Sequence, residues 1–201
     1  MAHLSVPFTN VQQEKTFWCW AAVAANVYNS MRPQSPKSQC DVATKVEGQG
    51  ACDGPDGSID SLSLALFTLG INDELSASPR LPLIVSEFQG VSDQFDPSTN
   101  ENGIAEPVCA EIEFPGNAFH YVAIAEVDTI SGHVWVADPS HGGNFVEFSY
   151  NDFINNYNYS TAPEPGPGVV QNLQRVVNIF KVNTNLGGPD ATHHGQTDSA
   201  G

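Results

Sequence analysis

The feature that most restricts the folds open to this chain is the run Phe17-Trp-Cys-Trp-Ala-Ala-Val-Ala-Ala-Asn-Val-Tyr-Asn-Ser-Met31. Its alanines favour helix, and apolar side chains recur all round the helical spiral, the pattern of a helix enclosed on every face. Its most apolar part, Phe17 to Val27, is broken by Asn26 and falls short of the about 18 apolar residues that a membrane span needs. The rest of the chain must therefore cover this helix. With 201 residues, 40% of them apolar, one domain can supply the side chains to do so.

The residues that follow show how. Pro33 and Pro36 end the helix, a second is expected from Ser38 to Glu47, and a polar, Gly-rich loop runs from Gly48 to Gly57. Ser58 reads as the N-cap of a third helix, in which Ile59, Leu62, Leu66 and Leu69 recur at helical spacing before Gly70. After Pro82 the period changes. Leu83 to Phe88 reads as a strand and Val91 to Gly103 as a polar loop. Val108 to Phe114 and Phe119 to Val127 then alternate, and Val134 to Ala137 and Phe145 to Phe148 follow at hairpin spacing through Gly-bearing turns. A short helix over Asn151 to Tyr159, a loop over Pro163 to Gly168 and one or two closing strands over Val169 to Val182 complete the pattern. The expected fold class is α+β, a helical layer on an antiparallel sheet with a cleft between them. Residues 1–183 form the expected domain and 184–201 a polar tail.

Charge narrows the functions available. Seven Lys+Arg against 23 Asp+Glu give a net charge of −16, and no cation lies between Arg80 and Arg175. Binding to nucleic acid or to anionic lipid needs clustered cations, so neither partner is expected. The N-terminus shows no basic segment followed by an apolar one, so no cleavable signal is expected and the chain is placed in the cytoplasm or on a signal-less export route. A monomer is expected.

Four cysteines, Cys19, Cys40, Cys52 and Cys109, include no Cys-x-x-Cys pair, which argues against a zinc knuckle or a thioredoxin-type site. Cys40 and Cys52 flank a short loop and are either disulfide-bonded or two buried thiols. Cys109, within an alternating run, reads as core. The stretch Asp53 to Asp60 has an EF-hand flavour, but aligning Gly57 as its sixth position puts Cys52, Gly54 and Ser63 where oxygen ligands belong. Gly-x-Ser-x-Gly, His-Glu-x-x-His and Gly-x-x-x-x-Gly-Lys are absent, so serine hydrolase, zincin and P-loop readings lack their defining residues.

Four residues carry the remaining chemistry. Cys19 is expected at the start of the central helix, where free N–H groups and the positive end of the helix dipole favour a thiolate; a cysteine between two tryptophans also fits a core. Gln13, with Gln12 beside it, lies close enough before Cys19 for its carboxamide to help the Cys19 N–H hold an oxyanion, although a Gln-Gln-Glu-Lys run is also an ordinary solvated loop. His120 opens an apolar strand, on one face with Val122 and Ile124. Asp138 closes the next strand, at the same end of the hairpin, where it would orient the imidazole or simply form an Asp-Pro turn.

The run Gln13-Glu-Lys-Thr-Phe-Trp-Cys19-Trp20-Ala21-Ala22 resembles the Gln plus Cys-Trp-Ala signature of papain-like cysteine peptidases. Pro107 to Phe114, His120-Tyr-Val-Ala-Ile and Val134-Trp-Val-Ala-Asp138-Pro139 are similar to the strand block of its compact bacterial members, staphopain-like enzymes and bacteriocin-leader peptidases; Asp-Pro in place of papain's Asn is a feature of the latter. The resemblance implies a papain-like fold and a thiol peptidase acting on peptide or protein amides. Cys19 would be nucleophile, His120 base, Asp138 its orienting acceptor and Gln13 an oxyanion donor, with no metal or organic cofactor. The same residues would serve acyl transfer, transglutaminase-like crosslinking or deamidation, and a silent protein-binding module is the alternative of another class. Only 12 residues precede Gln13, so the pro-domain of many relatives is not expected here. Glu106, Glu111, Glu113, Glu126, Asp128 and Glu147 are expected to form an acidic wall that raises the pKa of His120 and draws in basic segments of substrate.

Overall fold

The protein is described from a computed structural model, over residues 3–53, 61–71, 88–99, 103–114, 118–155, 157 and 175–182. The central helix α1 (Cys19–Met31) is buried as its composition requires: Ala21, Ala22, Val23, Ala24 and Val27 are enclosed, and small side chains let its backbone come close to its neighbours. The polar Asn26 within it has a partner, donating from Nδ2 to the Val11 carbonyl at 3.1 Å. Helix α2 (Gln39–Glu47) starts with a capping box. Asp41 N–H donates to Ser38 Oγ and Ser38 N–H donates to Asp41 Oδ2, satisfying two donors that a helix start leaves open. Helix α3 (Ser61–Thr68) ends at Gly70, whose positive φ of 67° suits only a residue without Cβ. Helices α2 and α3 both pack on α1.

The second part is a sheet. Strands β2 (Val108–Phe114), β3 (Ala118–Asp128), β4 (His133–Ala137), β5 (Phe145–Ser149) and β6 (Arg175–Lys181) pair antiparallel in the order β5-β4-β3-β2-β6. A short β1 (His3–Ser5) pairs with the last residues of β3. Cys109, Tyr121, Ala123 and Ala137 face the layer of α1, α2 and α3. Val108, Ala110, Ile112, Val122, Ile124, Val134 and Val136 face the other way, against Val91 and Phe95 of α4 (Phe88–Phe95) and Phe153 of α5 (Tyr150–Asn155). Being covered on both faces, β2 and β3 carry nearly continuous apolar runs. Pairing between β3 and β4 skips Ala125, a bulge in the middle of the hairpin.

The α+β class, with the cysteine helix laid on an antiparallel sheet, is the one expected. Two local expectations need correction. Residues 88–95 form α4 rather than the end of a strand and the start of a loop, because Val91 and Phe95, four apart, both bury while Gln89, Asp93 and Gln94 mask the period. Strand β1 has no signal in the sequence: its three residues are held by pairing with β3 and by packing on Trp135 of β4 and on α4. The Cys40–Cys52 alternative is resolved as a disulfide with a Cα–Cα distance of 5.3 Å. The expected Ser58 cap, the strand over 83–87, the loop over 163–168 and the tail over 184–201 lie outside the described residues. Among the described residues, no helix is long and apolar enough to cross a membrane.

Candidate active site

The ladder between β3 and β4 closes with the pair Ala123–Ala137. Asp138 is the next residue after β4, and beyond this pair the first residues of β3 extend without a β4 partner. His120 lies there, diagonally across from Asp138 and on the same side of the sheet, so the two side chains meet: His120 Nε2 is 2.8 Å from Asp138 Oδ1. With Nε2 taken by Asp138, Nδ1 is the nitrogen left to serve Cys19, whose thiol lies close enough to the imidazole to help raise its pKa. Cys19 is the first residue of α1. The N-cap position is held by Trp18, which supplies no side-chain cap, and the first-turn N–H groups of a helix have no partner within it.

Asp138 is buried and well supplied with donors. Besides His120, its Oδ1 accepts the Ser140 N–H at 2.8 Å and the Ser140 hydroxyl, and its Oδ2 accepts the Tyr157 hydroxyl at 2.7 Å. The Ser140 bonds form the cap of the turn Pro139–His141. The Asp-Pro turn and the imidazole acceptor are thus one and the same residue doing both. Burial by itself would raise the Asp138 carboxyl, but the hydrogen bond and charge of His120, with the bonds from Ser140 and Tyr157, hold it well below the usual carboxylate range. Burial likewise opposes a charged His120. The hydrogen bonds to Asp138 and Cys19 and the charges of both prevail, and His120 is pushed up to about 10. An imidazolium between a carboxylate and a sulfur is the charge state this geometry favours.

The segment before α1 is strapped across the same region. Asn10 Nδ2 donates to the carbonyls of Asp138 and Asn144 at 2.9 and 2.8 Å, and Gly143 N–H donates back to the Asn10 carbonyl. Gln13 N–H donates to the Pro139 carbonyl at 2.7 Å. On the other side, Gln39 of α2 donates from Nε2 to the Gln12 carbonyl and accepts the Glu14 N–H at Oε1. The backbone around Gln13 is held from both sides. Its side chain is turned to its own loop: Nε2 donates to the Lys15 and Thr16 carbonyls at 2.9 and 2.6 Å, while Oε1 is buried without a hydrogen-bond partner. Both amide hydrogens are engaged in this conformation, so an oxyanion role requires the carboxamide to rotate.

Of the residues singled out in the sequence, Cys19, His120 and Asp138 are brought together and Gln13 lies in the strap beside them. The six carboxylates of the expected acidic wall are divided: Glu111 and Glu113 of β2 lie opposite Tyr121 and Phe119, the neighbours of His120, and the others do not line up with them. Glu106 and Glu111 are buried. Glu126 is paired with His3, and Glu147 with His133, each at 2.6 Å, while Asp128 accepts from Ile130 N–H and the Ser131 hydroxyl. Glu126 and Asp128 sit toward the turn end of the β3–β4 hairpin and Glu147 on β5 opposite Trp135, whereas His120 and Asp138 sit at the open end of the hairpin. Eight residues of strand separate Asp128 from His120, about 26 Å at the usual rise and beyond two screening lengths at physiological salt. The upward shift of His120 comes from Asp138 and Cys19 instead.

Asn10, Gln39, Ser140 and Tyr157 escaped the sequence reading. Ser140 had a signal, since an Asp two residues before a Ser is a common Asx-turn pairing. The other three act through contacts between distant segments and had none.

These elements define an α+β protein in which a thiol at a helix start lies beside an imidazole that is hydrogen-bonded to a carboxylate. No protein-family model matches the chain, and no curated protein matches it. Among solved structures it is similar to the peptidase domain of Streptococcus ComA, a bifunctional ABC transporter involved in a quorum-sensing pathway. That likeness covers 88% of this chain and 98% of that one, at 15% identity and a TM-score of 0.49. At this distance the weight of any functional reading falls on the geometry of Cys19, His120 and Asp138.

Proposed function

We propose that the chain is a papain-like cysteine peptidase that hydrolyses peptide or protein amides. The observation that carries the reading is the grouping of Cys19, His120 and Asp138, with the His120–Asp138 bond at 2.8 Å and a buried Asp138 whose hydrogen bonds hold its carboxyl low. In this reading His120 takes the proton of Cys19, and the thiolate is the attacking species. The thiolate forms a bond to the substrate carbonyl carbon, and the oxygen takes the electron pair displaced from the C=O bond. The Cys19 N–H, and Gln13 once its carboxamide rotates, would donate to that oxygen. His120 gives its proton to the amine nitrogen as the C–N bond breaks, leaving a thioester. A water molecule, losing its proton to His120, then attacks the thioester carbon, and cleavage of the C–S bond releases the acid and restores the thiolate. None of these steps needs a metal or an organic cofactor.

The net charge of −16 favours substrates with basic segments, and of the carboxylates expected to line the site Glu111 and Glu113 lie on β2 beside His120. Matched basic and acidic peptides should differ in kcat/KM at low ionic strength and converge as salt is added; equal rates at low salt would remove the preference.

The reaction itself is tested with purified protein, a peptide library and an epoxide reagent selective for activated thiols. Hydrolysis adds one water to the products and the epoxide labels Cys19. Amine incorporation or side-chain deamidation without cleavage would point to acyl transfer by the same residues. An unlabelled Cys19 with no turnover of any substrate would point to a binding module.

A further inference from the structure

Tyr157 lies just beyond α5 and is fully enclosed, its ring 5.2 Å from that of Phe148 and 5.9 Å from that of Phe153. These contacts leave its hydroxyl one direction, and it donates to Asp138 Oδ2 at 2.7 Å. The two oxygens of Asp138 are thus divided. Oδ1 accepts from His120 and from Ser140, while Oδ2 accepts from Tyr157. A second histidine stands close by: His141 Nδ1 is 3.9 Å from Oδ2, outside hydrogen-bond distance. His141 Nδ1 is itself 3.0 Å from Ser140 Oγ, so if Oδ2 lost its donor, only the bonds at Oδ1 to Ser140 and His120 would hold the carboxylate, and its plane would be free to turn about them.

We propose that Tyr157 is a positioning residue of this site: its hydroxyl fixes the rotation of Asp138 so that Oδ1, and with it the imidazolium of His120, stays aligned with Cys19. The proposal rests on the thiol–imidazole–carboxylate reading above. Among the described residues, the titratable groups involved are Cys19 of α1 and Asp138 against His120, and His120, His141 and Tyr157 against Asp138. Tyr157 touches no substrate and acts only through Asp138.

The test is Tyr157→Phe, which keeps the ring in its aromatic pocket and removes one oxygen. Two quantities are followed: the rate of Cys19 alkylation by iodoacetamide from pH 4 to 10, and kcat and KM for a cleaved peptide. In the wild-type protein alkylation should already be fast at pH 6, as the Cys19–His120 ion pair of the proposed mechanism requires. In Tyr157→Phe the rate at pH 6 should fall about tenfold, one unit in the pH at which the pair forms, with a similar fall in kcat and an unchanged KM. In an Asp138→Asn background the same change should have no further effect, since Tyr157 then has no carboxylate to orient. A fast wild-type profile that Tyr157→Phe leaves unmoved, or equal effects of Tyr157→Phe in both backgrounds, overturns the positioning role alone. A wild-type Cys19 that alkylates like an ordinary thiol overturns the ion-pair reading and this proposal with it.

Discussion

His120 Nε2 meets Asp138 Oδ1 at 2.8 Å although the backbones carrying them are no longer paired, the β3–β4 ladder having closed at Ala123–Ala137. Position 138 would fall opposite Val122, and His120 lies two residues further along the same face. The contact is therefore a diagonal one, made where the two strands part and leave room for the start of α1. It holds the imidazole without blocking its second nitrogen.

Cys19→Ala should abolish peptide hydrolysis while leaving the fold as it is. The side chain is small and buried at the helix start, and alanine is at home in the surrounding Ala-rich helix. Removing the nucleophile of such a unit costs at least about 10⁴-fold in kcat. The check is hydrolysis by the purified variant beside its melting curve, and residual turnover near the wild-type rate would remove Cys19 from the mechanism.

Stability should fall as the solution becomes alkaline. His120 in the folded protein is raised to about 10 from an ordinary value of 6.5, so its protonation stabilises the fold fully below pH 6.5 and is lost as pH rises through about 10. Asp138 is depressed, so its contribution is present above the ordinary carboxylate range and is lost only in strong acid. The melting temperature should accordingly decline between pH 6.5 and 10, and His120→Ala should flatten that decline. A parallel slope in the variant would assign the effect to other groups.

Gly142→Ala should be destabilising and should impair turnover. A Cβ built at Gly142 falls 2.3 Å from Gln12 N and 2.5 Å from Gln12 Cα, and neither backbone atom can move without disturbing the strap on either side of Gln13. Forcing a methyl group into such a contact costs about 1–3 kcal/mol. Thermal melts and kcat should both drop, whereas Gly143, at φ 90° with open space around it, would report strain without the clash. A Gly142→Ala protein that melts and turns over as the wild type does would show that the strap yields freely.

Replacing Cys40 and Cys52 together by Ser should lower stability by about 3 kcal/mol, the loop-closure effect expected for a bridge spanning 12 residues. Lys15 Nζ donates to the Cys52 carbonyl and lies 4.2 Å from the centre of the Trp18 ring, so the bridged loop also supports the approach to Cys19. A thiol reductant should therefore lower the melting temperature of the wild-type protein and leave the double variant unaffected. Identical melts of both proteins with and without reductant would show that the bridge is not formed in solution.

Much of the site was readable from the residues because its parts are local. Cys19 begins an Ala-rich helix, His120 opens an apolar strand and Asp138 closes the next one, and a hairpin of ordinary length brings the last two to the same end. The helix α4 was not readable in the same way, since only Val91 and Phe95 mark its buried side and the polar residues between them have no period of their own. The acidic wall was divided for a related reason. Charge counted along a strand does not say which end of the hairpin it occupies, and Glu126 and Glu147 were found paired with histidines other than His120.

Local pattern alone was enough for the two layers, the antiparallel strands β2 to β5 and the order of thiol, imidazole and carboxylate, because helical and strand periods repeat within a few residues of one another. Whether those groups would meet, and what would hold them, depended on contacts between segments separated by 18 to 128 residues of chain. Asn10 bonded to the Asp138 carbonyl, Gln39 clasping the backbone on both sides of Gln13, and Tyr157 capping Asp138 Oδ2 leave no periodic trace, since each is a single polar side chain bonded across the fold. The buried carboxylate at the centre needs such donors to stay ionised, and only the closed tertiary structure brings them within reach.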